Sequence, residues 1–168
     1  PQADTAWVSA VANLHIIENL EAYFDKVHLV HTQNKFNNLK ISYDVPSSLG
    51  SDRFLAILGA MERFPKKALL VVDIGSAMTF DVINEDGYHQ GGLIMPGLVA
   101  LRKSFPKFET TDVSTNIDSL ASNTKDAWKS GTQAMLFSSI NDQIEKFNDI
   151  FSDGIVTICG GLVHEIKN

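Results

Sequence analysis

Residues 69–83 read LLVVDIGSAMTFDVI. The apolar run that begins at Ala68 and ends at Asp73 is typical of a buried strand. Gly75 predicts a tight turn, and the apolar run from Thr79 to Ile83 predicts a second strand. A carboxylate therefore leaves the end of a buried strand directly before a glycine and a hydroxyl residue. This arrangement makes the stretch the centre of the predicted fold.

Strand and helix patterns alternate on both sides of this unit, so the fold class is α/β. The patterns predict strands at 6–11, 27–30 and 154–159, and helices at 16–24, 51–64, 98–104 and 123–148. Ser51 is expected as an N-cap and Pro65 as a helix stop. Irregular connections are expected at 34–48, 91–97 and 105–119.

Composition excludes several classes of protein. The net charge of −6, with no block of basic residues, argues against a nucleic-acid partner. The single cysteine, Cys159, allows neither a disulfide framework nor a cysteine-rich zinc site. The longest apolar stretch, Ala68–Val72, is too short to cross a bilayer, and residues 1–4 show no secretory signal. We therefore expect a cytoplasmic protein with no membrane partner.

Two segments carry the strongest chemical signals. At the end of the buried strand, Asp73 could hold a cation, while Gly75 and Ser76 could approach a phosphate. At a helix start, Asp52 could accept a hydroxyl proton, while Arg53 could hold a carboxylate. The plain alternatives are a β-hairpin with Asp73 bonded into its turn, and a surface helix cap.

Three weaker signals follow along the chain. The glycine-rich stretch 91–97 is either a ligand loop or a structural loop. Asn123-Thr124 is either a substrate contact or a plain helix cap. Gly160-Gly161 follows a strand and could approach an adenine or ribose, although two glycines are weak evidence.

Five motifs, taken together and in this order, resemble the type III pantothenate kinases. They are GSDR at 50–53, DIGSA at 73–77, GYHQGGLIMPG at 87–97, Asn123-Thr124 and Gly160-Gly161. That family includes the Bvg accessory factor proteins and belongs to the actin-like, sugar-kinase and Hsp70 ATPase superfamily. The resemblance implies two ribonuclease H-like domains with the active site in the cleft between them. It also implies ATP-dependent phosphorylation of pantothenate to 4'-phosphopantothenate, the first step of coenzyme A biosynthesis.

The resemblance assigns a role to each motif. Asp52 is expected to be the general base, and Asp73 a ligand of a monovalent cation, K⁺ or NH₄⁺. The expected pantothenate contacts are Tyr43, Gly50, Ser51, Asp52, Arg53 and Thr124, and the expected ATP contacts are Gly75, Ser76, Gly160 and Gly161. ATP is expected with Mg²⁺. Because the family's threonine comes from the neighbouring subunit, Thr124 implies a homodimer.

The chain departs from the family pattern in several places. Ser76 and Cys159 stand where threonine is common, and the opening Asp-x-Gly-Asn-[Ser/Thr] phosphate loop does not occur. We expect a fold that is incomplete at both ends, with 1–64 as the remainder of the N-terminal ribonuclease H-like domain and 65–168 as the C-terminal one. On this basis the 168 residues alone are expected to show little or no activity.

Two other functions stay open on the same scaffold. One is a non-catalytic transcriptional accessory protein of the Bvg accessory factor type. The other is a different small-molecule kinase, acting on a sugar or on acetate. The acidic and basic residues of the motifs favour retained chemistry, and the combination of GSDR with GGLIMPG favours pantothenate.

Overall fold

The computed structural model describes residues 4–11, 15–114 and 120–165, and these form a mixed α/β structure. The strands are β1 (Thr5–Val8), β2 (Lys26–Leu29), β3 (Lys35–Phe36), β4 (Leu39–Lys40), β5 (Leu69–Ile74), β6 (Ala77–Ile83), β7 (His89–Pro96) and β8 (Ile155–Cys159). The α-helices are α1 (His15–Leu20), α2 (Ser51–Arg63), α3 (Leu98–Lys103) and α4 (Thr124–Ile150). Short 3-10 helices lie at Pro46–Ser48, Pro106–Phe108 and Val163–Glu165.

The largest sheet has four strands in the order β7-β6-β5-β8. Strands β5, β6 and β7 pair antiparallel, whereas β8 returns parallel to β5. Because parallel strands end at the same edge of a sheet, Asp73 at the end of β5 lies opposite Cys159 at the end of β8. Two smaller sheets pair β1 with β2 in parallel and β3 with β4 antiparallel.

The four-stranded sheet buries side chains on both faces, which we call the α2 face and the α4 face. The core of the α4 face is formed by Ala68, Leu70, Val72, Ile74, Met78, Phe80, Leu98, Leu136, Ile140 and Phe147. The core of the α2 face is formed by Leu39, Ile41, Leu49, Phe54, Ile57, Ala60, Leu69, Val71 and Ile83. Since strand side chains alternate between faces, Asp73 and Asp81 share the α2 face with Leu69 and Val71.

Two segments predicted to be irregular contain strands. The stretch 91–97, predicted to be a loop, lies mostly in β7, where residues 89–96 pair with β6 at the edge of the sheet. An edge strand tolerates glycines and a terminal proline because one of its sides needs no ladder partner. The stretch 34–48 contains the β3–β4 hairpin, which turns through Asn37 in the left-handed region at φ 49°. Such two-residue strands are too short to show a pattern.

The predicted cap of α2 is wrong by one residue. Gly50 is the N-cap and Ser51 is the first helical residue, so the helix begins without a capping side chain. The helix ends at Arg63, just before Pro65, as predicted. The cap of α4 is confirmed, because Asn123 accepts a hydrogen bond from the backbone N–H of Asp126.

The division of the chain into 1–64 and 65–168 stays a prediction. Residues from both segments share the core of the α2 face, since Phe54 and Ile57 of α2 pack with Leu69 and Val71 of β5. Within the described residues, no helix has the length and apolar character needed to span a membrane. Residues 115–119, the end of the predicted connection 105–119, lie outside the described part.

Candidate active site

The start of α2 presents one acidic and one basic side chain in different surroundings. Asp52 is exposed, whereas Arg53 is buried with 5% of its surface accessible. The backbone N–H of Arg53 donates to Oδ1 of Asp52 at 2.8 Å. A Cβ on Gly50 would lie 2.5 Å from that same oxygen, so the glycine lets the carboxylate fold back over the helix start. The arrangement leaves Asp52 accessible at a helix N-terminus without a cap.

The end of β5 brings a second carboxylate into this region. Asp73 is half-buried, and burial raises the pKa of its carboxyl above the usual value. The neighbouring Cys159 thiol opposes that increase, and the negative charge of Asp52 adds to it. Asp73 also has the strand parity of Leu69 and Val71, on which α2 packs, so the end of β5 and the start of α2 lie on the same face of the sheet. That the two carboxylates face one site stays a prediction.

The segment after β8 closes against the same carboxylate. Gly160 has φ 108°, and a Cβ there would come within 2.6 Å of Oδ1 of Asp73 and 2.4 Å of the backbone oxygen of Ile74. Only glycine combines this backbone conformation with so close an approach. A Cβ on Gly161, in contrast, would meet no described atom within 4 Å. Gly160 thus lies directly beside Asp73, and Gly161 borders open space.

Cys159 is a structural neighbour of Asp73 rather than a nucleophile. Burial raises the pKa of its thiol to about 11, and the adjacent Asp73 charge adds to the effect. The thiol is therefore protonated at neutral pH, as expected for a buried cysteine.

The β5–β6 turn carries Gly75 and the exposed Ser76. The backbone N–H of Gly75 donates to the carbonyl of Ala77 at 2.9 Å, and Gly97 at the start of α3 donates to the carbonyl of Ser76 at 3.1 Å. A Cβ on Gly97 would lie 2.2 Å from the carbonyl oxygen of Gly75. The last glycine of the motif 87–97 therefore supports the predicted phosphate turn.

Arg53 lies in a buried polar cluster that includes two residues not predicted as site residues. Its Nε donates to Oδ2 of Asp81 at 2.8 Å, and its Nη2 donates to Oδ1 at 2.7 Å. Nε2 of His89 lies 2.9 Å from Oδ1 of Asp81. Nη1 of Arg53 donates to the hydroxyl of Tyr43 at 3.0 Å, so this predicted substrate contact joins the cluster.

A sequence signal for Asp81 existed. It is an acidic residue inside the apolar strand TFDVI, where a buried carboxylate needs a charged or hydrogen-bonding partner. It also has the strand parity that places it on the same face as Asp73. No comparable signal marked His89, because its burial depends on the β7 pairing that the sequence did not predict.

The remaining residues of the motifs occupy two different places. Ser51 joins the site, and its hydroxyl lies 2.9 Å from that of Ser9 after β1. Thr124 does not, because it is exposed at the start of α4, whose Leu136 and Ile140 pack on the opposite face of the sheet.

The donor set suits an oxygen-preferring cation better than a transition metal. Among the described residues, no three His, Cys, Asp or Glu side chains lie together as a metal cluster. A Cβ on Gly160 would meet both Oδ1 of Asp73 and the carbonyl oxygen of Ile74, so two oxygens border the same space, and hard cations prefer such oxygen ligands. A cation beside Asp73 would also offset the repulsion from Asp52.

Comparisons with known proteins show which family is similar to this chain. A family model described as type III pantothenate kinase matches residues 2–146. A type III pantothenate kinase of Colwellia psychrerythraea is 31% identical and aligns with 95% of this chain and 68% of its own length. One from Stenotrophomonas maltophilia is 33% identical over 78% of this chain and 56% of its own, and one from Xanthomonas campestris is 36% identical over 62% and 43%.

A solved structure from Campylobacter jejuni, described as a Baf family transcriptional activator, has a TM-score of 0.50 and 20% identity over 93% of this chain and 75% of its own. This similarity concerns the fold alone. The chain spans between about two fifths and two thirds of the length of the three kinases compared above. Their identity levels and the family match confirm the resemblance predicted from the motifs: this chain belongs to the type III pantothenate kinase family.

Proposed function

We propose that the protein transfers the γ-phosphoryl group of ATP to the primary hydroxyl of pantothenate, giving 4'-phosphopantothenate for coenzyme A synthesis. One observation carries the proposal. Asp52 at the uncapped start of α2 and Asp73 at the end of β5 belong to the same face of the sheet, against which α2 packs, and besides burial the charge of Asp52 raises the pKa of Asp73. A proton acceptor and a cation ligand then flank one region, which is the arrangement that phosphoryl transfer requires.

Asp52 acts as the general base. Its exposed carboxylate accepts the proton of the pantothenate hydroxyl as the oxygen attacks the γ-phosphorus. The new O–P bond forms while the bond to the ADP oxygen breaks, and the proton stays on Asp52. A base of this kind contributes about 10²–10⁴-fold to the rate.

The acidic substrate is held by the start of α2. Gly50 brings no capping side chain, so the first-turn N–H groups other than that of Arg53, which donates to Asp52, meet the substrate. Ser51 contributes to this stretch, and Nη1 of Arg53, beside the Tyr43 hydroxyl, binds the substrate carboxylate. These contacts position the substrate for attack.

The nucleotide lies along the ends of β5 and β8. Gly75 and Ser76 contact its phosphates, and Gly160 and Gly161 border its ribose or adenine. Asp73 holds K⁺ or NH₄⁺, and Mg²⁺ enters with ATP; together these cations neutralise phosphate charge when bound. The loose transition state of phosphoryl transfer leaves little covalent chemistry for the protein, so positioning and charge neutralisation are the main sources of catalysis.

The proposal includes a homodimer and a ribonuclease H-like, actin-like two-domain architecture. The sheet order, with three antiparallel strands and a parallel fourth, supports that architecture. The exposure of Thr124 on the far side of the sheet supports its contribution to a neighbouring subunit's site. A cytoplasmic location stays a prediction from the sequence.

The direct test is turnover of pantothenate by the full-length protein with ATP and Mg²⁺, in KCl and in NaCl. We expect turnover that K⁺ stimulates, because a partly buried carboxylate next to a second negative charge favours a bound cation. Asp73→Asn should abolish the stimulation, whereas Asp153→Asn in an exposed turn should keep it. Absence of pantothenate phosphorylation in either salt would refute the proposal.

The shared site is tested by mixing two inactive homodimers, Asp52→Asn and Thr124→Ala. If Thr124 completes the partner's site, exchange of subunits restores a wild-type pair of residues in one of the two sites. We expect activity to reappear on mixing. Continued inactivity after demonstrated subunit exchange would contradict the shared site.

A further inference from the structure

The guanidinium of Arg53 rests against three residues, which we call the Arg53 seat: the buried Asp81 and His89, and Gly92 of the edge strand β7. Asp81 and His89 are each 2% exposed. Two of the guanidinium nitrogens, Nε and Nη2, donate to the two carboxylate oxygens of Asp81 in a bidentate pair. Such a fork fixes the plane of the guanidinium as well as its position.

The bidentate pair with Asp81 uses two of the three guanidinium nitrogens. The third nitrogen, Nη1, donates to the hydroxyl of Tyr43. Arg53 and Tyr43 are both among the proposed pantothenate-binding residues. The orientation of Arg53 therefore decides where its remaining donors meet a substrate carboxylate.

His89 forms a hydrogen bond with Asp81, the carboxylate that pairs with Arg53. The Asp81 carboxylate that pairs with the guanidinium carries no proton and can only accept, so Nε2 of His89 is the donor in the 2.9 Å contact with Oδ1. The other ring nitrogen lies 3.4 Å from the Ser42 hydroxyl. His89 thus adds a second hydrogen bond to Oδ1, the oxygen that also accepts from Nη2 of Arg53, and this bond opposes rotation of the carboxylate.

Gly92 provides the space for this pair. It lies opposite Asp81 in the β6–β7 register. A Cβ there would come within 2.5 Å of both Nη2 of Arg53 and Oδ1 of Asp81, and within 2.3 Å of the Phe80 carbonyl oxygen. A side chain at this position would displace the ion pair, so the second glycine of the motif is required by the seat.

We propose that Asp81, His89 and Gly92 are positioning residues that set the affinity for the substrate carboxylate by fixing the orientation of Arg53. This inference deepens the proposed function and rests on it for its kinetic readout. Replacing a buried ion pair with apolar residues of similar volume often costs no stability. Stability alone therefore does not explain a charged network in this core, whereas directing one edge of Arg53 toward the substrate does.

The kinetic test compares His89→Leu with His89→Gln in the full-length protein. Glutamine places an amide donor near the position of Nε2, whereas leucine fills the space without a donor. We expect His89→Leu to raise the KM for pantothenate about tenfold or more, with kcat and the KM for ATP unchanged. His89→Gln should restore a KM within about twofold of wild type.

Gly92→Ala provides an independent variant and should raise the same KM to a similar extent. Gly59→Ala is the matched control, since a Cβ on this exposed residue of α2 would meet no described atom within 4 Å. The control should leave the KM for pantothenate unchanged. Asp81→Asn is less informative, because it leaves a buried guanidinium without its countercharge and is expected to unfold the protein.

A second readout is independent of activity. NMR of the Arg53 Nε–H group reports whether the guanidinium stays locked, and we expect its proton to exchange with solvent at least tenfold faster in His89→Leu than in wild type and His89→Gln. If wild type fails to phosphorylate pantothenate, the proposed function fails while this measurement still tests the seat. Unchanged exchange in His89→Leu, or equal increases of the KM for pantothenate and for ATP, would overturn the inference.

Discussion

The two faces of the central sheet each bury an arginine, and the two arginines are neutralised in different ways. On the α2 face, Arg53 meets the carboxylate of Asp81 through two hydrogen bonds. Burial acts to lower the pKa of its guanidinium, but the hydrogen bonds and charge of Asp81 outweigh burial, so the pKa is raised. Arg53 is therefore a charge paired with a carboxylate, and its third nitrogen, Nη1, donates to the Tyr43 hydroxyl.

On the α4 face, Arg102 of α3 is completely buried among neutral acceptors. Its guanidinium donates to the Thr132 hydroxyl and to the backbone carbonyls of Asp112, Ser114 and Lys129. Burial lowers the pKa of this guanidinium, and the charge of Asp112 only partly compensates. Because every donor nitrogen is engaged with the scaffold, Arg102 ties α3, α4 and the segment before residue 115 together.

The difference separates a functional charge from a structural one. The Asp81 carboxylate fixes the direction of Arg53, whose Nη1 donates to the Tyr43 hydroxyl. Arg102 instead donates to backbone carbonyls and so holds three segments of the chain together. We therefore expect substitutions on the α2 face to change kinetics and substitutions on the α4 face to change stability. The predictions below test that division, beginning with the largest effect.

The largest effect is expected on the α2 face, from Asp52→Asn. Asparagine keeps the shape and exposure of the side chain but cannot accept the substrate proton, so kcat should fall by about 10²–10⁴-fold. The thermal midpoint should stay within about 1 °C of wild type, since Asp52 is exposed. Steady-state kinetics and calorimetry measure both quantities, with Asp86→Asn in the exposed β6–β7 turn as the control. Wild-type kcat in the variant would remove Asp52 from the mechanism.

The next effect is expected on the α4 face, from Arg102→Met. Methionine fills much of the volume but orphans several buried acceptors, each of which costs roughly 1–3 kcal/mol. The free energy of unfolding, measured by urea titration, should fall by about 3 kcal/mol, while the KM for pantothenate of the folded protein stays unchanged. Lys103→Met, at the exposed neighbouring position, should leave both quantities near wild type. A large KM change in Arg102→Met with full stability would contradict the division between the faces.

The smallest effect concerns the acid sensitivity of the α4 face. Hydrogen bonding from Lys129, supported by the backbone N–H of Ser114, lowers the pKa of Asp112 well below its usual 3.8. A carboxyl whose pKa is depressed by folding stabilises the protein above its unfolded pKa and loses that contribution as pH falls through the folded value. Asp112→Asn should therefore be less stable than wild type at neutral pH, with a difference that shrinks below about pH 4.

Urea unfolding midpoints of wild type and Asp112→Asn, measured from neutral pH to below pH 4, test this prediction. Asp142→Asn, which removes an exposed pair with Lys146 four residues away, is the comparison, and its effect should be smaller because both partners are exposed. A difference between Asp112→Asn and wild type that grows on acidification would reverse the expected sign.

Much of the fold could be predicted because its strongest elements have local signatures. The apolar run before Asp73 predicted β5, the helical spacing after Gly50 predicted α2, and Asn123 predicted the start of α4. The β7 strand could not be predicted in the same way, since GGLIMPG has the glycines and proline of a loop. Only hydrogen bonding to β6 makes it a strand.

The sequence by itself determined the family and the two acidic residues of the candidate site, because Asp52 and Asp73 stand in short motifs at the ends of predictable elements. Tertiary structure alone decided the partners of Arg53. Asp81, His89 and Gly92 come from two paired strands, and their meeting depends on strand register and on the face that each side chain takes. A motif records the spacing of residues along the chain, whereas a buried ion pair depends on distances between segments far apart in sequence, which packing sets.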